Sequence, residues 1–148
     1  MELRPETVTE KDYEQLLKIW EASVKATHDF LDPADLEALK TEIPTFLPLL
    51  QVTFWLDGNE VVGFSGTQSG HLEMLFLDPT FFHQGYGSVI LKQLIKDQDV
   101  RFVDVNQDNL AAKHFYEKNG FELIDVSPLD GQGRPYPIEH RALVTEKG

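Results

Sequence analysis

The sequence predicts a mixed α/β fold in which a single sheet carries helices on both faces. Short runs rich in β-branched and aromatic residues alternate with longer stretches whose apolar residues recur at helical spacing. Taken in order they give β-α-α-β-β-β-α-β-α-β-β, the alternation of a layered α/β architecture. Length agrees, because 148 residues suit one domain, residues 1–148, that buries roughly 70% of its unfolded surface.

Leu3 to Val8 reads as the first strand. Thr9 then offers an N-cap oxygen, and Glu10 and Asp12 stand in a first turn where the helix dipole favours acids. Tyr13, Leu16, Leu17, Trp20 and Val24 form one apolar stripe of a helix ending near Ala26. Asp32-Pro33 opens a second helix through about Ile43, because proline suits the first helical position. Pro44 and Pro48 are expected to break it.

Val52 to Leu56 and Val61 to Phe64 flank the turn Asp57-Gly58-Asn59 and form a hairpin. Gly66 to Gly70 is expected as loop, and Leu72 to Leu77 as a third strand stopped by Asp78-Pro79. Val89, Ile90, Leu91, Leu94 and Ile95 lie on a helical stripe running to about Asp97. Arg101 to Val105 is a short strand. Leu110 to Asn119 is a helix stopped by Asn119-Gly120, a left-handed terminator. Phe121 to Val126 and Ile138 to Val144 are the last strands, separated by the turn-rich segment Asp130 to Pro135.

Composition excludes several functions. Thirteen basic and 25 acidic residues leave a net charge of −12, which opposes nucleic acid and anionic membrane surfaces and favours cationic ligands. The absence of cysteine removes disulfides, thiolate metal sites and a cysteine nucleophile. The start has no signal-peptide pattern, and no apolar run reaches the roughly 20 residues of a membrane span. A soluble, cytoplasmic protein is expected. His71, His83, His114 and His140 show no metal-ligand spacing, so no metal is expected.

The stretch from Leu72 to Ser88 runs a strand into a short loop and sets Gly85 and Gly87 at the start of an amphipathic helix. Free N–H groups and the positive dipole end suit such a turn to a phosphate or pyrophosphate, and glycines allow close approach. Simple turn chemistry is the competing explanation. The Walker lysine and the three-glycine dinucleotide fingerprint are both missing.

Further on, Asn109, Ala112, Phe115, Tyr116, Gly120 and Phe121 fit the pattern Asn-x-x-Ala-x-x-Phe-Tyr-x-x-x-Gly-Phe. Together with the glycine turn and the element order, this resembles the GNAT family of N-acetyltransferases over essentially the whole chain. The segments from Ile19 to Leu31 and from Arg134 to Pro137 resemble a subgroup of small bacterial members. The resemblance implies a mostly antiparallel GNAT sheet, acetyl-CoA as co-substrate without a metal, and a small-molecule or peptide amine as acceptor. The amine would attack the thioester directly in a ternary complex. A homodimer is compatible with this.

The resemblance assigns the cofactor loop to Phe82, His83, Gln84, Gly85, Tyr86, Gly87 and Ser88. Backbone of Phe76 and Leu77 would face the acetyl end, and Asn109 the cofactor's arm; Asn109 is equally suited to be a helix N-cap. Tyr116 is the expected partner of the departing thiolate, against a packing role for its ring. Glu73 is a candidate base, against an exposed strand carboxylate. His28 is a candidate in the acceptor pocket, against a helix C-terminal role. One position departs from the family pattern: Phe82 stands where Gln or Arg is usual. Phe81 and Phe82 are expected to form an apolar lid on the first turn of the following helix. A non-catalytic acyl-CoA-binding module of the same fold is the alternative that Phe82 leaves open.

Overall fold

The computed structural model describes residues 2–27, 32–130 and 133–144. The strands are β1 (Arg4–Thr7), β2 (Gln51–Asp57), β3 (Glu60–Gln68), β4 (His71–Leu77), β5 (Phe102–Asn106), β6 (Phe121–Ser127) and β7 (Ile138–Leu143). The helices are α1 (Tyr13–Thr27), α2 (Pro33–Phe46), α3 (Tyr86–Asp97) and α4 (Leu110–Lys118). The order is the one expected. The strands form one sheet, β1-β2-β3-β4-β5-β7-β6. Every neighbouring pair is antiparallel except β4 and β5.

Because successive strand residues point to opposite faces, the sheet separates two cores. Trp55, Val62, Leu72, Val103 and Phe121 pack with Ile90, Leu91 and Leu94 of α3 and Tyr116 of α4. Phe54, Phe64 and Val52 pack with Leu16, Ile19, Trp20 and Val24 of α1 and Ile43 of α2. Leu16 and Phe64 are fully buried, and each such side chain contributes about 1.5–3 kcal/mol of transfer free energy.

Two expectations are corrected. Pro44 does not end α2, which continues to Phe46 with the proline inside it. Ile43 and Leu47 on either side are buried in the core, and that burial offsets the hydrogen bond the proline removes near the helix end. Gly66 to Gln68 are strand, and only Ser69-Gly70 turns. Small and polar residues concealed the strand pattern there, yet Gly66 pairs with Met74, and the buried Thr67 donates its hydroxyl to Gln98 at 2.6 Å.

Candidate active site

The parallel pair β4–β5 is joined only at His71–Phe102 and Leu72–Val103. Beyond that point β4 stays bonded to β3, and β5 to β7 along its length. The two strands therefore part, and β4 from Glu73 to Leu77 has no strand partner on its β5 side. That side of β4 faces a cleft of roughly 580 Å³ lined by Leu72 to Leu77, Val103 to Asn106, the start of α3 and residues of α4. Ser23 and Thr27 of α1 also line it.

Glu73 sits at the apex of this divergence for a definable reason. Gly66 pairs with Met74 and Thr67 with Leu72, so Glu73 is the extra residue of a β-bulge. Bulges re-aim a side chain out of the regular alternation. One polar atom each of Glu73, His71 and Asp104 lies within 4.8 Å of the others. Asp104 lies directly opposite His140 in the β5–β7 register, and their Oδ1 and Nδ1 are 2.6 Å apart. His140 Nε2 is 2.7 Å from the Ser127 hydroxyl. The bulge at Ile124 in β6 brings Asp125 and Ser127 to the His140 side. Spacing along the chain could not show this group, because its members come from four strands.

At the other wall, the loop before α3 carries His83 at φ 61° and Gly85 at φ 86°. The Val89 N–H donates to the Gly85 carbonyl at 3.3 Å, so the N–H groups of Tyr86, Gly87 and Ser88 precede the helical ladder. A Cβ on Gly85 would meet nothing within 4 Å, whereas one on Gly87 would lie 3.2 Å from the Phe115 ring. Gly85 thus leaves open space in front of free donors, and Gly87 lets α3 approach α4. Phe82, His83, Gly85, Tyr86, Gly87 and Ser88 all line the cleft.

Four residues around this loop depart from expectation. Gln84 does not line the cleft; its carboxamide donates to the Thr80 carbonyl at 3.0 Å. The Tyr86 ring is buried in the core, and its hydroxyl donates to Asp57 at 2.5 Å, so it serves the loop through its backbone. That bond, reinforced by burial, raises the Tyr86 pKa. The two phenylalanines do not form one lid. Phe81 packs edge-on against Tyr86 at 5.6 Å in the core, while Phe82 faces the cleft beside His83 at 6.1 Å.

Asn109 caps α4, its side chain accepting from the Ala112 N–H at 3.1 Å, and it also lines the cleft with Ala112 and Tyr116. Tyr116 is 7% exposed and packs edge-on against Phe115 at 5.0 Å and Phe121 at 5.9 Å. Its hydroxyl bonds to no side chain among the described residues, and burial pushes its pKa well up. The tyrosine therefore holds its proton firmly. Buried charges anchor α4: Glu139 bonds Arg141 at 3.0 Å and Lys113 at 3.2 Å, and Arg141 also donates to the Phe121 carbonyl at 3.0 Å. His28 lies outside the described residues.

The segment after β6 is strapped to α2. Arg134 reaches Glu42 at 2.9 Å, Asp35 at 3.5 Å and Asp130 at 3.6 Å, and Tyr136 bonds Asp35. The Glu42 bond raises the Arg134 pKa, despite burial acting the other way.

Comparison with known proteins matches this scaffold. Residues 51–123, from β2 into β6, fit the model of an acetyltransferase (GNAT) domain. The chain is 36% identical over 128 residues to the peptidyl-lysine N-acetyltransferase YjaB of Salmonella typhimurium, covering 84% of this chain and 87% of that protein. Against the YjaB of Escherichia coli K12 the identity is 35% over 134 residues, covering 88% and 90%. The chain belongs to the GNAT acetyltransferase family. It is an N-acetyltransferase that moves an acetyl group to an amine. The solution structure of apo-form YjaB from Escherichia coli superposes with a TM-score of 0.86 at 31% identity, over 99% of this chain and 100% of that one. The fold extends further: the PaiA N-acetyltransferase of Thermoplasma acidophilum, solved with coenzyme A, gives 0.67 at 20% identity over 96% and 99%. Among the described residues no helix is long and apolar enough to cross a membrane.

Proposed function

We propose that this enzyme acetylates the side-chain amine of a lysine within a peptide or protein, with acetyl-CoA as donor. The observation that carries the reading is the shared cleft, which holds Glu73 and Asp104 at the closed end of the β4–β5 divergence, Tyr116 on one wall and the free N–H groups of α3 at another. Two carboxylates attract an ammonium group, and the relatives named above act on peptidyl-lysine. The residues present fit coenzyme A. Gly85 leaves open space before the α3 donors, and helix N-termini bind phosphates.

When bound, acetyl-CoA supplies an activated acyl group as a thioester. The protein's part is electrostatic and positional. Gly85, Gly87 and Ser88, with the backbone of His83 and Tyr86, hold the diphosphate. Phe82 contributes an apolar wall where a cation would otherwise stand, and Asn109 orders the turn of α4 beside the cofactor arm. The backbone at about Leu77, on the side where β4 has parted from β5, polarises the carbonyl. Glu73 takes a proton from the acceptor nitrogen. Tyr116 donates a hydrogen bond to the departing sulfur and retains its proton, since an ordinary tyrosine near 10 facing a thiol near 8.5 is already about 2 kcal/mol uphill for transfer and burial adds to that. Holding both reactants in one cleft removes the entropy cost of encounter.

The test is release of free thiol from acetyl-CoA across polyamines, free amino acids, aminoglycosides and N-blocked lysine peptides. The peptides are expected to give the highest kcat/KM. Preference for a polyamine or an aminoglycoside would overturn the acceptor assignment.

A further inference from the structure

We propose that His71, Asp104, His140 and Ser127 form a proton path that drains the acceptor end of the cleft across the sheet to solvent. The inference rests on the reading of Glu73 as the group that takes the amine proton.

The need follows from balance. An ammonium acceptor loses two protons as its C–N bond forms and the thioester C–S bond breaks. The departing sulfur keeps one, giving the thiol. The other passes to Glu73, which is exposed in the open cleft but would be covered once both substrates fill it, and from there it must reach water before the next turnover.

The observed contacts supply that route. Glu73 lies within 4.8 Å of both His71 and Asp104, a distance that one water bridges. His71 Nε2 is shielded from solvent and stands within ion-pair distance of Asp104 Oδ2, at 3.1 Å. Asp104 Oδ1 and His140 Nδ1 are 2.6 Å apart, and His140 Nε2 and Ser127 Oγ 2.7 Å apart. An ionised carboxylate only accepts, so His140 Nδ1 carries a proton toward Asp104. Its Nε2 then accepts from Ser127 when the ring is neutral and donates to it when the ring is charged. Both contacts survive either state, as a relay requires. The charged and titratable groups facing the path are Glu73 and His71 from β4, Asp104 from β5, His140 from β7 and Asp125 from β6, the last 3.9 Å from His140. Phe102 stacks on His71 at 6.4 Å and fixes its plane. His140 and Ser127 do not line the cleft, so they are positioning residues that act through Asp104 and Glu73.

The test is chemical rescue of His140→Ala by imidazole at fixed pH and ionic strength, with an N-blocked lysine peptide and with a simple primary amine. CoA affinity is expected to be unchanged and turnover to fall roughly ten-fold or more, within the span of proton-transfer effects. Imidazole should restore turnover saturably while leaving wild type unaffected. Wild-type turnover in the variant, or a loss that imidazole does not lift, would overturn the path. If His140→Ala does not fold, His140→Gln is read without imidazole: it keeps a donor toward Asp104 but cannot relay a proton, so its turnover should fall with CoA affinity unchanged, and wild-type turnover would overturn the path. Wild-type activity on the simple amine but not on the peptide would refute the lysine reading, and the path is then judged on the amine. No wild-type turnover with either would refute both.

Discussion

Replacing Tyr116 by Phe isolates one hydroxyl. The ring packs edge-on between Phe115 and Phe121, and the hydroxyl bonds to no side chain among the described residues. Its loss should therefore change apo stability by less than about 1 kcal/mol. At about 2–4 °C per kcal/mol for a domain of this size, melting should barely move. The catalytic cost is that of one hydrogen bond to a developing thiolate, about 1.5–3 kcal/mol for a charged partner. Dividing by 1.36 kcal/mol per decade gives a fall in kcat of roughly ten- to two-hundred-fold. The assay is thiol release at saturating acceptor and acetyl-CoA, beside calorimetry of CoA binding, which should be nearly unchanged. There is an alkaline signature as well. Burial raises the Tyr116 pKa in the fold, so above about pH 10 the unfolded chain releases a proton that the folded chain retains. Stability falls as pH rises through that range, and the Phe variant should show a shallower decline. Wild-type turnover in Tyr116→Phe would refute the role given to this residue.

Phe82→Arg should tighten CoA by about 0.5–3 kcal/mol with unchanged apo melting, because the ring faces the cleft rather than the core, and added salt should erode the gain in a titration series. Gly85→Val should lower CoA affinity in calorimetry, and part of its apo cost is backbone strain at φ 86°. Gly87→Ala acts differently: its Cβ presses on Phe115, which touches Tyr116, so kcat should fall before CoA affinity does. Arg134→Ala leaves three carboxylates without their shared cation; melting should report a loss of about 1–3 kcal/mol. Burial pushes the Glu139 pKa up, but bonds from Arg141 and Lys113 outweigh it and hold it below the ordinary value. Its contribution is present above about pH 4.3 and is lost as pH falls through the depressed value, so Glu139→Gln should flatten acid unfolding while lowering stability at neutral pH.

Much of this site was legible because its signals are local. The helical stripe of α3, the glycines at its start and the Asn109–Ala112–Tyr116 face all lie within one element, where spacing along the chain maps onto direction in space. Even so, local signals were ambiguous about side chains: adjacent Phe81 and Phe82 go to core and cleft, and Tyr86 turns inward to Asp57. What was not legible depends on register. Glu73 enters the cleft because a bulge makes it unpaired, and nothing in its neighbours announces the bulge. His71, Asp104 and His140 meet only because β5 lies between β4 and β7. The strap of Arg134 spans 92 residues to Glu42, a distance no periodicity encodes. Pro44 misled for a related reason, since the burial that keeps it helical comes from the other core face.

The most direct measurement is the site of acetylation on an N-blocked peptide carrying one lysine, read by fragmentation mass spectrometry after incubation with acetyl-CoA and either wild-type enzyme or Tyr116→Phe. One acetyl group is expected on the lysine nitrogen, formed by the wild type and much more slowly by the variant. CoA bound with calorimetric affinity but no acetyl group transferred, or equal rates from the two proteins, would contradict it.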